Sequence, residues 1–111
     1  MKENRTELRY DISLTARWQG SASNQNVRIG DLSEGGCYVD SILEVLVGEA
    51  LLLEIQMPDG EWLELHGVVV HHNPRLGFGV RFVDPDESKR HEIRALLRLE
   101  TDHPIRWQKI A

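Results

Sequence analysis

Arg5 and Arg9 stand four residues apart in "NRTELRY", just ahead of the first strongly patterned segment. That spacing puts both side chains on one side of the chain, whether the segment is helical or extended. Two convergent guanidinium groups suit phosphate oxygens or the O6/N7 edge of a guanine, and each can also lie flat on a base. The plain alternative is a solvated pair, bridged to acids such as Glu3 and Glu7. A second polar group follows in "DLSEGG", residues 31–36. The Asp31 carboxylate can accept both N–H groups on the Watson–Crick edge of guanine. Ser33 can fix a turn or touch a ligand, and Gly36 allows close backbone approach. Aspartate, serine and glycine are equally the ordinary residues of a tight turn, so each motif alone is weak.

Other reactive side chains offer less. His66, His71 and His72 fall on one expected strand, with His66 and His72 sharing a face by parity. Residues six apart on a strand are separated by ~20 Å, too far to share one ion, so these read as partly exposed strand histidines. The single Cys37 excludes an internal disulfide and a cysteine-based metal cage, and it fits a small core residue in a reducing cytosol. No Ser-His-Asp order, paired catalytic carboxylates or phosphate loop stands out. No catalytic residue, metal or cofactor is assigned.

The elements that must position the two motifs are mainly strands. In "YDISLTARW" Ile12, Leu14, Ala16 and Trp18 alternate with Asp11, Ser13, Thr15 and Arg17, a half-buried strand. "QGSASNQN" reads as a polar loop, "VRIGDL" as a strand with Val27 and Ile29 on one face, and "GGCYVD" as a short strand after the glycines. "ALLLEIQM" sends Leu51, Leu53, Ile55 and Met57 inward. "PDG" (58–60) is a hairpin turn, because Pro58 fixes φ and Gly60 supplies a positive φ. "EWLELHGVVVHH" returns as a long strand with a bulge expected at Gly67, and "GFGVRF" directs Phe78, Val80 and Phe82 to one face. Six strands joined by short turns favour closure into a barrel or sandwich over an open sheet with bare edges.

The period then changes to 3.6. "DPDESKRHEIRALLRLE" predicts an amphipathic helix with Asp84 as N-cap, Pro85 first in the helix, Glu87 in the capping-box position and Ile93, Leu96 and Leu97 on the inner stripe. The chain divides into a flexible leader (1–9), a barrel with its helix (10–100) and a tail (101–111) whose large anchor is Trp107.

At 111 residues this is one domain, long enough to bury a core without staples. A net charge of −5, from 18 acids against 13 bases, argues against DNA or RNA, whose backbone needs many cations on one face. A small anion needs only a local cluster, and screening confines the opposing field to ~8–10 Å. "MKENRTEL" lacks a signal-peptide core and no apolar run approaches ~18 residues, so a soluble cytoplasmic protein without membrane insertion is expected.

Taken together, a leader R-x-x-x-R, two strands, and D-x-S-x-x-G at the end of the second resemble the PilZ domain family of bacterial receptors for the second messenger cyclic di-GMP. "GFGVRF" looks like that family's late glycine-valine-aromatic strand, and the resemblance runs from about residue 4 to 100. It implies a mainly β fold: a six-stranded antiparallel, split-barrel-like β-barrel with a C-terminal α-helix. It also implies a ligand site on the outer barrel surface, clamped by the leader. Arg5 and Arg9 would bind phosphates and guanine edges, Asp31 and Ser33 would hydrogen-bond a guanine, and Gly36 would keep the surface open for the base. Asn4 occupies the position just before the first motif arginine, which in this family influences whether one ligand or a stacked pair is bound; some members carry another arginine there. The implied role is a signalling adaptor for motility or biofilm control that acts in trans on an unidentified protein partner. The alternative is a nucleotide-independent interaction module in pilus or motility assembly, whose members usually lose both motifs.

Overall fold

Alternating apolar residues dictate strands that bury one face and solvate the other, and the chain closes such strands on themselves. The computed structural model describes residues 10–19 and 24–101. Its strands are β1 (Tyr10–Gln19), β2 (Asn24–Leu32), β3 (Gly36–Asp40), β4 (Ala50–Gln56), β5 (Trp62–Asn73) and β6 (Gly77–Phe82), followed by helix α1 (Glu87–Thr101). They form a closed barrel in the order β1-β2-β3-β6-β5-β4, with β1 pairing β4 antiparallel to complete it. Closure removes the exposed strand edges that an open sheet of this length would present.

Most of the residues expected inward line the barrel interior, with Leu14, Val27 and Met57 only partly buried at its margin and Leu32, Val39, Leu63, Leu65 and Val69 completing it. Ala16, Trp18, Ile29, Leu53, Ile55, Phe78, Val80 and Phe82 are buried, and Trp18 packs on Phe78 with ring centroids 5.6 Å apart. Ile93, Leu96 and Leu97 bury the inner stripe of α1 in the same core. Burying a side chain of this size stabilises by ~1.5–3 kcal/mol each, which is why the period-two pattern dominates the fold. On the outside Arg17 lies 3.7 Å over the Trp62 ring and its Nε is 3.2 Å from Glu54 Oε1, a contact with ion-pair distance but not hydrogen-bond geometry. The "PDG" turn closes as expected: Met57 N–H donates to the Glu61 carbonyl at 2.7 Å, and Gly60 takes φ +90°.

Four local expectations are corrected. The helix begins at Glu87, because the Asp86 carboxylate accepts from the Lys89 N–H at 2.9 Å and so is the cap. Asp84 instead turns the chain with φ +39°, and Pro85 precedes the helix. Gly67 keeps regular register with Leu51 and Phe82, so it is no bulge; its added Cβ would lie 2.4 Å from Val80 Cγ1, so close packing of β5 on β6 requires the glycine. The β5 irregularity falls between Val69 and His71, leaving Val70 as the extra residue. That bulge lies between His66 and His72 and breaks their shared parity: His71 pairs with Gly79, and His72 with Phe78. Finally, β2 starts at Asn24, inside the stretch read as loop. The Trp107 anchor lies outside the described residues. No helix among those described is long and apolar enough to cross a membrane.

Candidate functional site

The D-x-S-x-x-G segment is the turn between β2 and β3. Ser33 N–H donates to the Gly36 carbonyl at 2.8 Å, and the Ser33 hydroxyl donates to the same oxygen at 3.3 Å. Ser33 is only 3% exposed, so its hydroxyl shapes the turn from within. Phe82 N–H donates to the Gly35 carbonyl at 2.9 Å, tying the turn to the end of β6. Outside, Glu34 Oε1 meets Arg94 of α1 at 3.4 Å, while Arg94 also holds Glu87 at 2.8 Å. The hydrogen bond to Glu87 raises the Arg94 pKa above its ordinary value, and the charges of Glu87 and Glu34 act in the same direction. Gly36 leaves no room for a side chain: an added Cβ would lie 2.2 Å from the Val80 carbonyl oxygen.

Asp31 lies on the outer face by register. A bulge at Gly30 resets the β2–β3 pairing so that Asp31 opposes Tyr38, while the next pair, Leu32 and Cys37, is buried. Tyr38 in turn opposes Gly79, and Gly79 opposes His71. Asp31, Tyr38, Gly79 and His71 therefore form one row across β2, β3, β6 and β5. Tyr38 and His71 rings lie 5.9 Å apart, tilted by 30°. Asn73 Nδ2 donates to the Tyr38 hydroxyl at 2.8 Å, fixing the phenol. Beside this row Arg28 pairs with Asp40 at 2.5 Å and reaches Ser13 Oγ at 3.4 Å, so that guanidinium is already neutralised. Arg81, opposite Gly36 on β6, is an exposed cation on the same outer face.

Of the residues singled out by spacing, the structure brings Ser33 and Gly36 together in the turn and sets Asp31 beside it, at the end of β2. Asn4, Arg5 and Arg9 lie outside the described residues. Spacing alone does not mark Tyr38, Asn73 or Arg81, and it gives His71 only as a strand histidine. The signal that could have found the two rings is the glycine alternation Gly77, Gly79 in "GFGVRF", which leaves the outer face of β6 without side chains at those two positions and so makes room for rings from its neighbours. Among the described residues no three His, Cys, Asp or Glu side chains come together as metal ligands would.

A family model, described as the PilZ domain, matches residues 3–99. The fold resembles the inhibitor of motility MotI/DgrA from Bacillus subtilis, at TM-score 0.72 and 19% identity over 88% of this chain and 51% of that one. It resembles YcgR from Escherichia coli, solved in complex with c-di-GMP, at TM-score 0.71 and 20% identity over 96% of this chain and 50% of that one. It also resembles the PilZ domain of CeSA from a cellulose-synthesizing bacterium, at TM-score 0.66 and 16% identity over 84% of this chain and 98% of that one. The chain thus spans about half the length of the MotI and YcgR chains, and at these identities the likeness speaks to the fold. No curated protein sequence matches it significantly. With the family model covering all but the ends, a barrel in the order described and D-x-S-x-x-G at its second turn, this chain belongs to the PilZ domain family.

Proposed function

We propose that this domain is a non-catalytic receptor for cyclic di-GMP that passes the signal to a protein partner in trans. The observation that carries the reading is Asp31 on the outer barrel face, next to the Ser33–Gly36 turn, in a PilZ chain whose leader holds Arg5 and Arg9. A carboxylate there can accept the two N–H donors of a guanine, which the arginines cannot, and arginines suit the phosphodiesters and the acceptor edge. The solved YcgR complex with c-di-GMP supports the ligand class. Ser33 serves the site by holding the turn, and Gly36 by letting β3 lie tight on β6. The nucleotide bridges the leader and the barrel, and the joined surface is what the partner reads. Asn4 stands next to Arg5, and the stoichiometry of binding reports whether the site takes one ligand or a stacked pair. The inhibitor-of-motility structure supports motility as the field of action. The presence of both motifs, Arg5/Arg9 and Asp31/Ser33/Gly36, speaks for the nucleotide over a ligand-independent interaction module.

Isothermal titration calorimetry with cyclic di-GMP tests this. Wild type should bind, and Arg9→Ala should weaken binding by about 5- to 150-fold, the worth of one bidentate arginine–guanine contact. A wild type that releases no heat, or an Arg9→Ala variant that binds equally well, would sink it.

A further inference from the structure

We propose that His71, flanked by Tyr38, is a stacking platform for a purine ring of the ligand, extending the site beyond the two sequence motifs. The inference rests on the nucleotide reading above and adds residues that reading does not use.

The argument begins with Gly79. A Cβ built there would lie 2.4 Å from His71 Cε1, 2.8 Å from Nε2 and 2.9 Å from Nδ1. Near-equal distances to three consecutive ring atoms are those of a point above the face of the ring, not beyond its edge. The imidazole therefore lies flat against the β6 backbone at Gly79. His71 is exposed, so its opposite face looks to solvent. Tyr38 lies beside it on the same outer face: its Cε2 would be 2.7 Å from a Cβ at Gly77, and Asn73 pins its hydroxyl.

These rings lie outside the barrel, on the face opposite the core, so core packing does not account for them. Their position does relate to the site. Asp31 adjoins Tyr38 directly across the β2–β3 pair, and three strand spacings of about 4.8 Å put His71 some ~14 Å from it along the row. A flat aromatic surface in line with a guanine-accepting carboxylate is what a ligand with two bases and a charged ring between them can use: one base held by its edge, the other by its face. Stacking on an aromatic face is tolerant of the base but strong, and imidazole and phenol both serve as platforms.

Cyclic di-GMP titrations of wild type, His71→Ala and His71→Phe, with thermal melts of each ligand-free protein, test the inference. His71→Ala should bind about 5- to 150-fold more weakly, while its melt stays where wild type's is. His71→Phe keeps a flat ring and should recover most of the affinity. In wild type, nuclear Overhauser contacts should join a guanine H8 to the His71 ring protons, with an upfield ring-current shift lost in His71→Ala. If wild type binds and His71→Ala binds as tightly, or His71→Phe is as weak as His71→Ala, the platform is wrong and the receptor reading survives. If wild type does not bind, both fall.

Discussion

Gly36 and Val80 approach so closely across the β3–β6 pair that a Cβ on Gly36 would stand 2.2 Å from the Val80 carbonyl oxygen. The last glycine of D-x-S-x-x-G is thus demanded by backbone packing, whatever it does for a ligand. The obstacle is main chain within a closed barrel, and it cannot swing aside as a side chain could. Gly36→Ala should therefore destabilise by about 1–3 kcal/mol, the usual cost of overpacking. For a domain of this size that is roughly 4–8 °C of Tm per kcal/mol, read directly in a thermal melt. A melt unchanged from wild type would mean that β3 and β6 lie further apart than described.

That glycine also illustrates what the sequence could and could not disclose. Period-two alternation located the six strands and the inward residues of β1, β4 and β6, because burial of Ala16, Trp18, Leu53, Phe78 and their neighbours is what makes the barrel. Bulges escaped, since one extra residue leaves composition untouched while reversing parity; Val70 did this to the histidines, and Gly30 set which residue Asp31 would face. The helix start escaped because "DPD" offers two aspartates with equal capping chemistry, and backbone geometry at Asp84 decided between them. Turn chemistry in "DLSEGG" placed the Ser33–Gly36 turn, with Asp31 on the strand beside it. The Tyr38–His71 row arises from cross-strand register among β3, β6 and β5; the local pattern in "GFGVRF" marks the space on β6 but not which neighbouring rings fill it.

Asp31 supplies the sharpest test of base recognition. Its carboxylate offers two acceptors, whereas an asparagine amide in its place would offer one acceptor and a donor facing the donors of guanine; size is unchanged. Asp31→Asn should weaken cyclic di-GMP binding by about 5- to 150-fold, the worth of one bidentate contact to a base. The ligand-free melt should shift little, because Asp31 is only partly buried. Calorimetry on the two proteins side by side checks this, and equal affinities would remove Asp31 from the site.

The two aspartates before the helix should behave in opposite ways. Asp86 caps α1 through the 2.9 Å bond from Lys89 N–H, so Asp86→Ala should cost ~1 kcal/mol. Asp84 holds φ +39°, where an L residue is disfavoured, so Asp84→Gly should be neutral or slightly stabilising. Urea unfolding of both variants distinguishes this assignment from one that starts the helix at Pro85, which predicts the reverse order.

Gly79 provides the counterpart to Gly36. Its nearest neighbours in the direction of a Cβ are the ring atoms of His71, at 2.4–2.9 Å, rather than backbone. His71 is exposed, so its ring can rotate off the surface without disturbing the core. The strand itself gains from the change, because alanine has less conformational freedom to lose on folding than glycine, an effect of ~0.4–1 kcal/mol. Steric cost and entropic gain should nearly cancel, leaving Gly79→Ala within about 1 kcal/mol of wild type in urea unfolding. Its signature should appear at the surface instead, as displaced His71 ring resonances in the NMR spectrum. A loss of stability as large as that of Gly36→Ala would show that the imidazole is locked in place by more than its contact with the sheet.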